Sequence, residues 1–212
     1  MTARPLTMFI LFILLTLAIP TQAAPTTATL NGMVINEVMV SPFEIDGEGF
    51  DTDGSGFADN LDEYIDLYNL SENAVDIGGW QLWDFTPVAA NNWYIFPSNS
   101  VIAPGGFALI IAGVQPEGEL PSLPAGSLAF DAGLGGQVIG ATGDNVVLRD
   151  PSAREYVHIV ISDAPDDPLT YDNFPQDATR NGDIETFLPQ EDVPEAISLT
   201  RTPDGDTNVV RH

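Results

Sequence analysis

After residue 30 the chain keeps almost no helical period; what recurs is a short apolar run cut off by Gly, Pro, Asn or Asp. That punctuation belongs to many short strands joined by turns. Strands are expected at Met33 to Val40, Glu63 to Asn69, Trp80 to Phe85, Trp93 to Phe96, Phe107 to Ala112, Asn145 to Arg149, Glu155 to Ile161 and Ile197 to Arg201. Ile65 and Leu67 alternate onto one face. Phe107 to Ala112 is continuously apolar and suits a strand buried on both faces. Asp150-Pro151-Ser152-Ala153 reads as a hairpin turn. About eight or nine short strands at this spacing predict an all-β chain, a β-sandwich.

Two stretches break the rhythm. Residues 112–143 are rich in Gly and Pro and nearly uncharged, and residues 162–195 are acidic and Pro-rich with Arg180 as their one basic residue. The second is expected to hug the surface or stay mobile. The N-terminus reads as an export signal: Arg4, an uncharged apolar run from Met8 to Ile19, then Thr21-Gln22-Ala23 with small residues for cleavage after Ala23. The apolar run is short for a bilayer span, so an uncleaved anchor is the lesser alternative. The organisation expected is a signal peptide over 1–23, a linker over 24–32 and one domain over 33–212. The product would be secreted or held at the cell surface.

Charge narrows the partners. Six Arg, no Lys and 31 Asp and Glu give a formal charge of −25. Nucleic acid demands a basic surface and is excluded as a partner, as are anionic membranes. Cations, basic partners or a salty medium are favoured. Without cysteine there are no disulfides, thiol nucleophiles or thiolate metal sites.

The sharpest chemical feature runs from Asp51 to Asp62. Its spacing is that of a calcium loop, with Asp51, Asp53 and Ser55 at positions 1, 3 and 5 and Gly56 where the chain must turn sharply. Phe57 would give its backbone carbonyl, and Asp59 falls at position 9, where a ligand often acts through water. Position 12 is usually a bidentate Glu; here it is Asp62, and the Glu follows at Glu63. Either Asp62 closes the site or the register shifts to Glu63. Asp46-Gly47-Glu48-Gly49 before the loop cannot form a stable helix, so the loop is expected between two strands. The plainer alternative is an acidic hairpin loop without a metal.

An ordered series of segments runs through most of the chain: Val34-Ile35-Asn36-Glu37-Val38, Asp62-Glu63-Tyr64-Ile65-Asp66-Leu67-Tyr68-Asn69 and Val75-Asp76-Ile77-Gly78-Gly79-Trp80-Gln81-Leu82. It continues through Tyr94-Ile95-Phe96-Pro97, Ile102-Ala103-Pro104-Gly105-Gly106-Phe107 and Gly143-Asp144-Asn145-Val146-Val147-Leu148, and closes with Ser198-Leu199-Thr200-Arg201-Thr202-Pro203-Asp204-Gly205. This series resembles the lamin tail domain of secreted bacterial proteins. The resemblance implies an immunoglobulin-like β-sandwich and a non-enzymatic binding or scaffolding module. It also implies an Asp- and Gly-rich loop just before the Asp-Glu-aromatic strand. The acidic stretch 162–195 is longer than the family leads one to expect.

Other signals are weaker. Alternation puts Trp80 and Leu82 inward and Gln81 and Trp83 outward. Trp83 and Trp93 then either form an exposed aromatic platform of the kind that stacks on sugars, or tuck beneath the long loops, which is favoured. His158 shares a face with Tyr156 and Val160 and is expected to face solvent rather than act as a base. His212 is the second and last histidine, so a zinc site is not expected. Gly133-Leu134-Gly135-Gly136-Gln137-Val138 lacks the third glycine of a dinucleotide fingerprint and reads as a loop. Asn69-Leu70-Ser71 is an incidental glycosylation sequon. Three functions compete: a calcium-stabilised module binding a protein or glycan at the cell surface, a carbohydrate-binding module, and a secreted hydrolase using carboxylates and calcium.

Overall fold

The computed structural model describes residues 27–43, 49–86, 89–140, 143–161, 167–187 and 197–211. The expected signal peptide and parts of the linker and of the acidic stretch lie outside these residues. The described strands are β1 (Met33–Ser41), β2 (Tyr64–Asn69), β3 (Val75–Asp76), β4 (Gln81–Thr86), β5 (Ala89–Ile95), β6 (Val101–Ile102) and β7 (Phe107–Ile111). They continue as β8 (Leu128–Asp131), β9 (Asp144–Asp150), β10 (Glu155–Ile161), β11 (Thr179–Arg180), β12 (Glu185–Phe187), β13 (Ile197–Arg201) and β14 (Val209–Arg211).

They form an immunoglobulin-like β-sandwich. One sheet runs β14-β13-β1-β2-β7-β8; the other runs β11-β10-β9-β4-β5, with β12 also on β10; β3 and β6 make a small pair. The pairing is antiparallel except where β8 joins β7 and where β11 and β12 join β10. The core follows the period of two. Ile65 and Leu67 of β2 and Ala108 and Ile110 of β7 meet Leu82, Val146, Leu148, Val157 and Ile159 of the facing sheet.

All eight expected strands are present, and each pair of residues alternates as read. The Asp150 turn forms as expected. The Asp150 carboxylate accepts from the Ser152 amide (2.8 Å) and hydroxyl (2.7 Å), holding the β9–β10 connection closed. The expectation of eight or nine strands falls short because β3, β6, β11, β12 and β14 are two or three residues long, too short to show a period. β8 lies inside the Gly- and Pro-rich stretch, and its four residues gain strand geometry only by pairing with β7. β5 starts at Ala89, four residues ahead of the expected start, because pairing with β4 extends it.

The described part of the acidic stretch is packed and structured. Residues 167–187 supply a 3₁₀ turn (Pro168–Thr170), β11 and β12. On the outer face of the second sheet Phe174 and Ala178 form a second small core with Trp83, Phe85, Val147 and Tyr156, while β11 and β12 extend the sheet beside β10 and Phe187 enters the main core. The last expected strand, β13, pairs with β1 on one side and β14 on the other.

Candidate functional site

The Asp-rich loop spans the gap between β1 and β2, as expected from its flanks. Three carboxylates gather in it. Oxygens of Asp51, Asp53 and Asp62 all lie within 4.8 Å of one another, with Asp51 exposed and the other two buried. The turn that makes this possible is at Gly54 and Gly56, with φ of 70° and 95°. Both lie in the left-handed region that glycine enters without a steric penalty. That turn aims the Ser55 amide at Asp51 and Asp53 (2.9 Å each) and the Gly56 amide at Asp51 (2.8 Å).

Asp62 is the hub. It is fully buried. One oxygen accepts from the amides of Thr52 (2.7 Å) and Asp53 (3.3 Å). The other accepts from the Asp59 amide (2.9 Å) and the Gln115 side-chain amide (3.2 Å). Burial pushes the Asp62 carboxyl up, those backbone donors pull it back, and the Asp53 charge pushes it further up. At Asp53 burial also pushes up, but donors led by the Gln115 and Ser55 amides outweigh it, and the pKa ends below the ordinary value. The two neighbouring acids are thus shifted in opposite directions, Asp53 down and Asp62 up.

The remaining expected ligands divide. Ser55 stands inside the group: its hydroxyl reaches the Phe57 carbonyl (3.2 Å) and the Gln115 side-chain oxygen (2.7 Å). The Phe57 carbonyl faces inward, while its ring is 71% exposed. Asp59 is outside the carboxylate group. It caps the 3₁₀ turn Asn60–Asp62, its side chain accepting from the Leu61 amide (2.7 Å), with Asp62 reciprocating in a capping box.

Glu63 does not close the loop. Asp62 ends the 3₁₀ turn and Glu63 follows it outside the turn (φ −59°, ψ 138°), so the two side chains part: Asp62 enters the loop and Glu63 leaves it. The Glu63 carboxylate instead accepts from the amides of Val138 (2.7 Å) and Ile139 (2.9 Å), pinning the Gly- and Pro-rich stretch to β2. Burial, and then the Asp144 charge, push its pKa up to about 7.

Sequence reasoning missed Gln115. Its amide nitrogen donates to Asp53 (2.6 Å), and its side chain bridges Ser55, Phe57 and Asp62. It lies 53 residues beyond Asp62, in a stretch with no motif; no local signal pointed to it. The loop therefore presents carboxylate, hydroxyl, carbonyl and amide oxygens and no nitrogen or sulfur ligand. That set suits a hard divalent cation.

The aromatic platform does not exist in this structure. Trp83 does point away from the main core, but it is only 7% exposed because Phe174 packs edge-on against it at 5.1 Å. Trp93 is half-buried against the main core, since β4 and β5 slip register between Leu82 and Trp83. The two rings share no surface. His158, expected at the surface, is fully buried beside Phe85, with Nε2 2.8 Å from the Asn145 side-chain oxygen. Asn69 of the sequon is buried, and its amide donates to the carbonyls of Asn73, Ile102 and Ala103. It is a structural clamp with no room for a glycan.

A family model described as Lamin Tail Domain matches residues 26–163. No curated protein shows a significant match to the chain. Among the described residues no helix is long and apolar enough to cross a membrane.

Proposed function

Because the chain belongs to the lamin tail domain family, a family of non-enzymatic immunoglobulin-like interaction modules, we propose that it is an exported, calcium-stabilised binding module working outside the cell or at its surface. One observation carries the metal: Asp51, Asp53 and Asp62 are held with oxygens within 4.8 Å in a loop whose other polar atoms are also oxygens. The sandwich supplies the frame and the ion supplies the counter-charge. Without it, acids in one loop repel each other, and the fold bears that cost. With it, the link between β1 and β2 is drawn tight, and with it the wall of the sheet those strands build. Export is supported by the charge, apolar and small-residue pattern of residues 1–23.

Extracellular calcium modules bind at about 10⁻⁴ to 10⁻³ M, which suits a site that fills once the chain leaves the cell. The test is thermal unfolding in millimolar calcium and in chelator. Stabilisation by calcium that disappears when Asp51 and Asp53 are both replaced by Ala supports the proposal. Equal melting temperatures in the two solutions would refute it.

A further inference from the structure

A groove lies on the outer face of the first sheet, beside the metal loop. It has a volume of about 550 Å³, a floor of Glu37, Tyr64 and Asp66, and walls that include Phe50, Leu109 and Leu123. We propose that this groove docks a segment of a partner protein that presents an arginine beside apolar residues, the guanidinium seated between Glu37 and Asp66.

The floor is built against the ordinary rules of a sheet. Glu37 of β1 and Asp66 of β2 are direct cross-strand partners, and like charges placed directly opposite destabilise a sheet. Asp66 is only 7% exposed. Its one hydrogen bond among the described residues is a long 3.4 Å contact from the Asn36 amide, a donor it shares with Asp204 at 3.0 Å. Burial, then the facing Glu37, hold its carboxyl well above the usual range, as expected of an acid kept without its counter-ion. The nearby Arg201 is committed elsewhere: it donates to the carbonyls of Ile35 (2.8 Å) and Asp206 (2.8 Å) and pairs with Glu185 (2.7 Å).

The walls say what kind of cation fits. A bare metal ion has no use for Phe50, Leu109 and Leu123. A guanidinium does: it is weakly hydrated, planar, stacks on rings and engages two carboxylates at once. The cavity is also larger than one such group, leaving room for flanking apolar side chains. A chain of charge −25 attracts a basic partner from a distance. Asp51 and Thr52 of the metal loop line the same groove, so filling the loop would set one of its walls. This inference rests on the binding-module reading and names its partner chemistry.

The test titrates the full chain with the peptide acetyl-Ala-Leu-Arg-Leu-Ala-amide, followed by amide chemical shifts, in calcium and in chelator. Shifts are expected at residues 64–66, 107–109 and 121–124. Glu37→Gln and Asp66→Asn should each weaken binding roughly tenfold or more while raising the melting temperature, because each removes the facing repulsion. Glu72→Gln, an exposed acid elsewhere, should leave binding unchanged. Should a neutral variant fail to fold, Leu123→Ala tests the wall, and it too should weaken binding. Equal weakening by all three charge variants, equal binding of a citrulline peptide, or no localised shift would overturn the proposal. So would free arginine amide binding as tightly as the peptide, which would make the ligand a small cation. Identical melting in calcium and chelator with peptide binding intact would remove the metal and leave the groove. A calcium shift with no peptide binding would do the reverse.

Discussion

Replacing Asp62 by Ala should destabilise the metal-free chain while replacing Asp51 by Ala barely changes it, and both replacements should abolish the gain from calcium. Asp62 holds four donors, of which the Asp53 amide and the Gln115 side chain are in buried bonds. The Thr52 and Asp59 amides are partly exposed, so water can replace their partner. A buried donor left unpaired costs about 1–3 kcal/mol, which puts the two at about 2–6 kcal/mol. Removing a carboxyl that burial already penalises offsets part of this, leaving a net loss of about 2–4 kcal/mol. For a domain of this size that is a fall of about 5–15 °C. Asp51 is exposed, and its bonds to Ser55 and Gly56 can pass to water. Its loss should change stability by no more than about 0.5 kcal/mol. In about 10 mM calcium the wild-type chain should gain about 1.4–2.7 kcal/mol from the affinities of extracellular sites, and both variants should gain nothing. The assay is thermal and urea unfolding followed by tryptophan fluorescence. An Asp62→Ala variant as stable as wild type in chelator would refute the hub; a calcium gain retained by Asp51→Ala would remove that residue from the ligand set.

Three further outcomes follow from the packing and the buried acids. Phe174→Ala should cost up to about 3–5 kcal/mol and shift tryptophan emission to the red as Trp83 meets water, whereas unchanged emission would mean that residues 167–187 are held by other contacts. Glu63 and Asp144 have pKa values raised to about 7 and about 6, burial being the first cause of each. The stability they contribute is therefore present below their ordinary values of 4.5 and 3.8 and lost as pH rises through about 6 to 7. The urea midpoint of the metal-free chain should fall across that window, and the fall should shrink in Glu63→Gln; an unchanged slope in the variant would rule Glu63 out as its source. A Cβ at Gly118 would overlap the Asp53 carboxylate. Gly118→Ala should therefore lower stability by about 1–3 kcal/mol and weaken calcium binding, with a wild-type calcium titration as the contrary result.

Local order was readable because it depends on neighbours in the chain. A period of two marks a strand, and Asp at a turn bonds its own backbone two residues on. The eight longer strands, the β9–β10 hairpin and the placing of the Asp51 loop between β1 and β2 all follow from such short-range rules. So does the acid set, since Asp51, Asp53 and Ser55 recur every second residue around glycines that permit the turn. What was unreadable depends on distance. β8, β11 and β12 are strands only because a partner strand lies beside them.

Residue types, spacing and alternation by themselves determined an all-β chain, the inward face of each long strand and a loop rich in side-chain oxygens. Alternation states which side of a sheet a residue takes but not what covers that side. Trp83 and His158 were correctly placed on the face away from the main core, yet both are buried. A segment about 90 residues after Trp83 folds over that ring, and His158 lies on the same side beside Phe85. Gln115 entered the Asp-rich loop, Glu63 turned to the Val138 and Ile139 amides, and Glu37 came to face Asp66 for the same reason. Burial, pairing and electrostatic environment are properties of the space around a side chain, and that space is filled by residues far away in sequence.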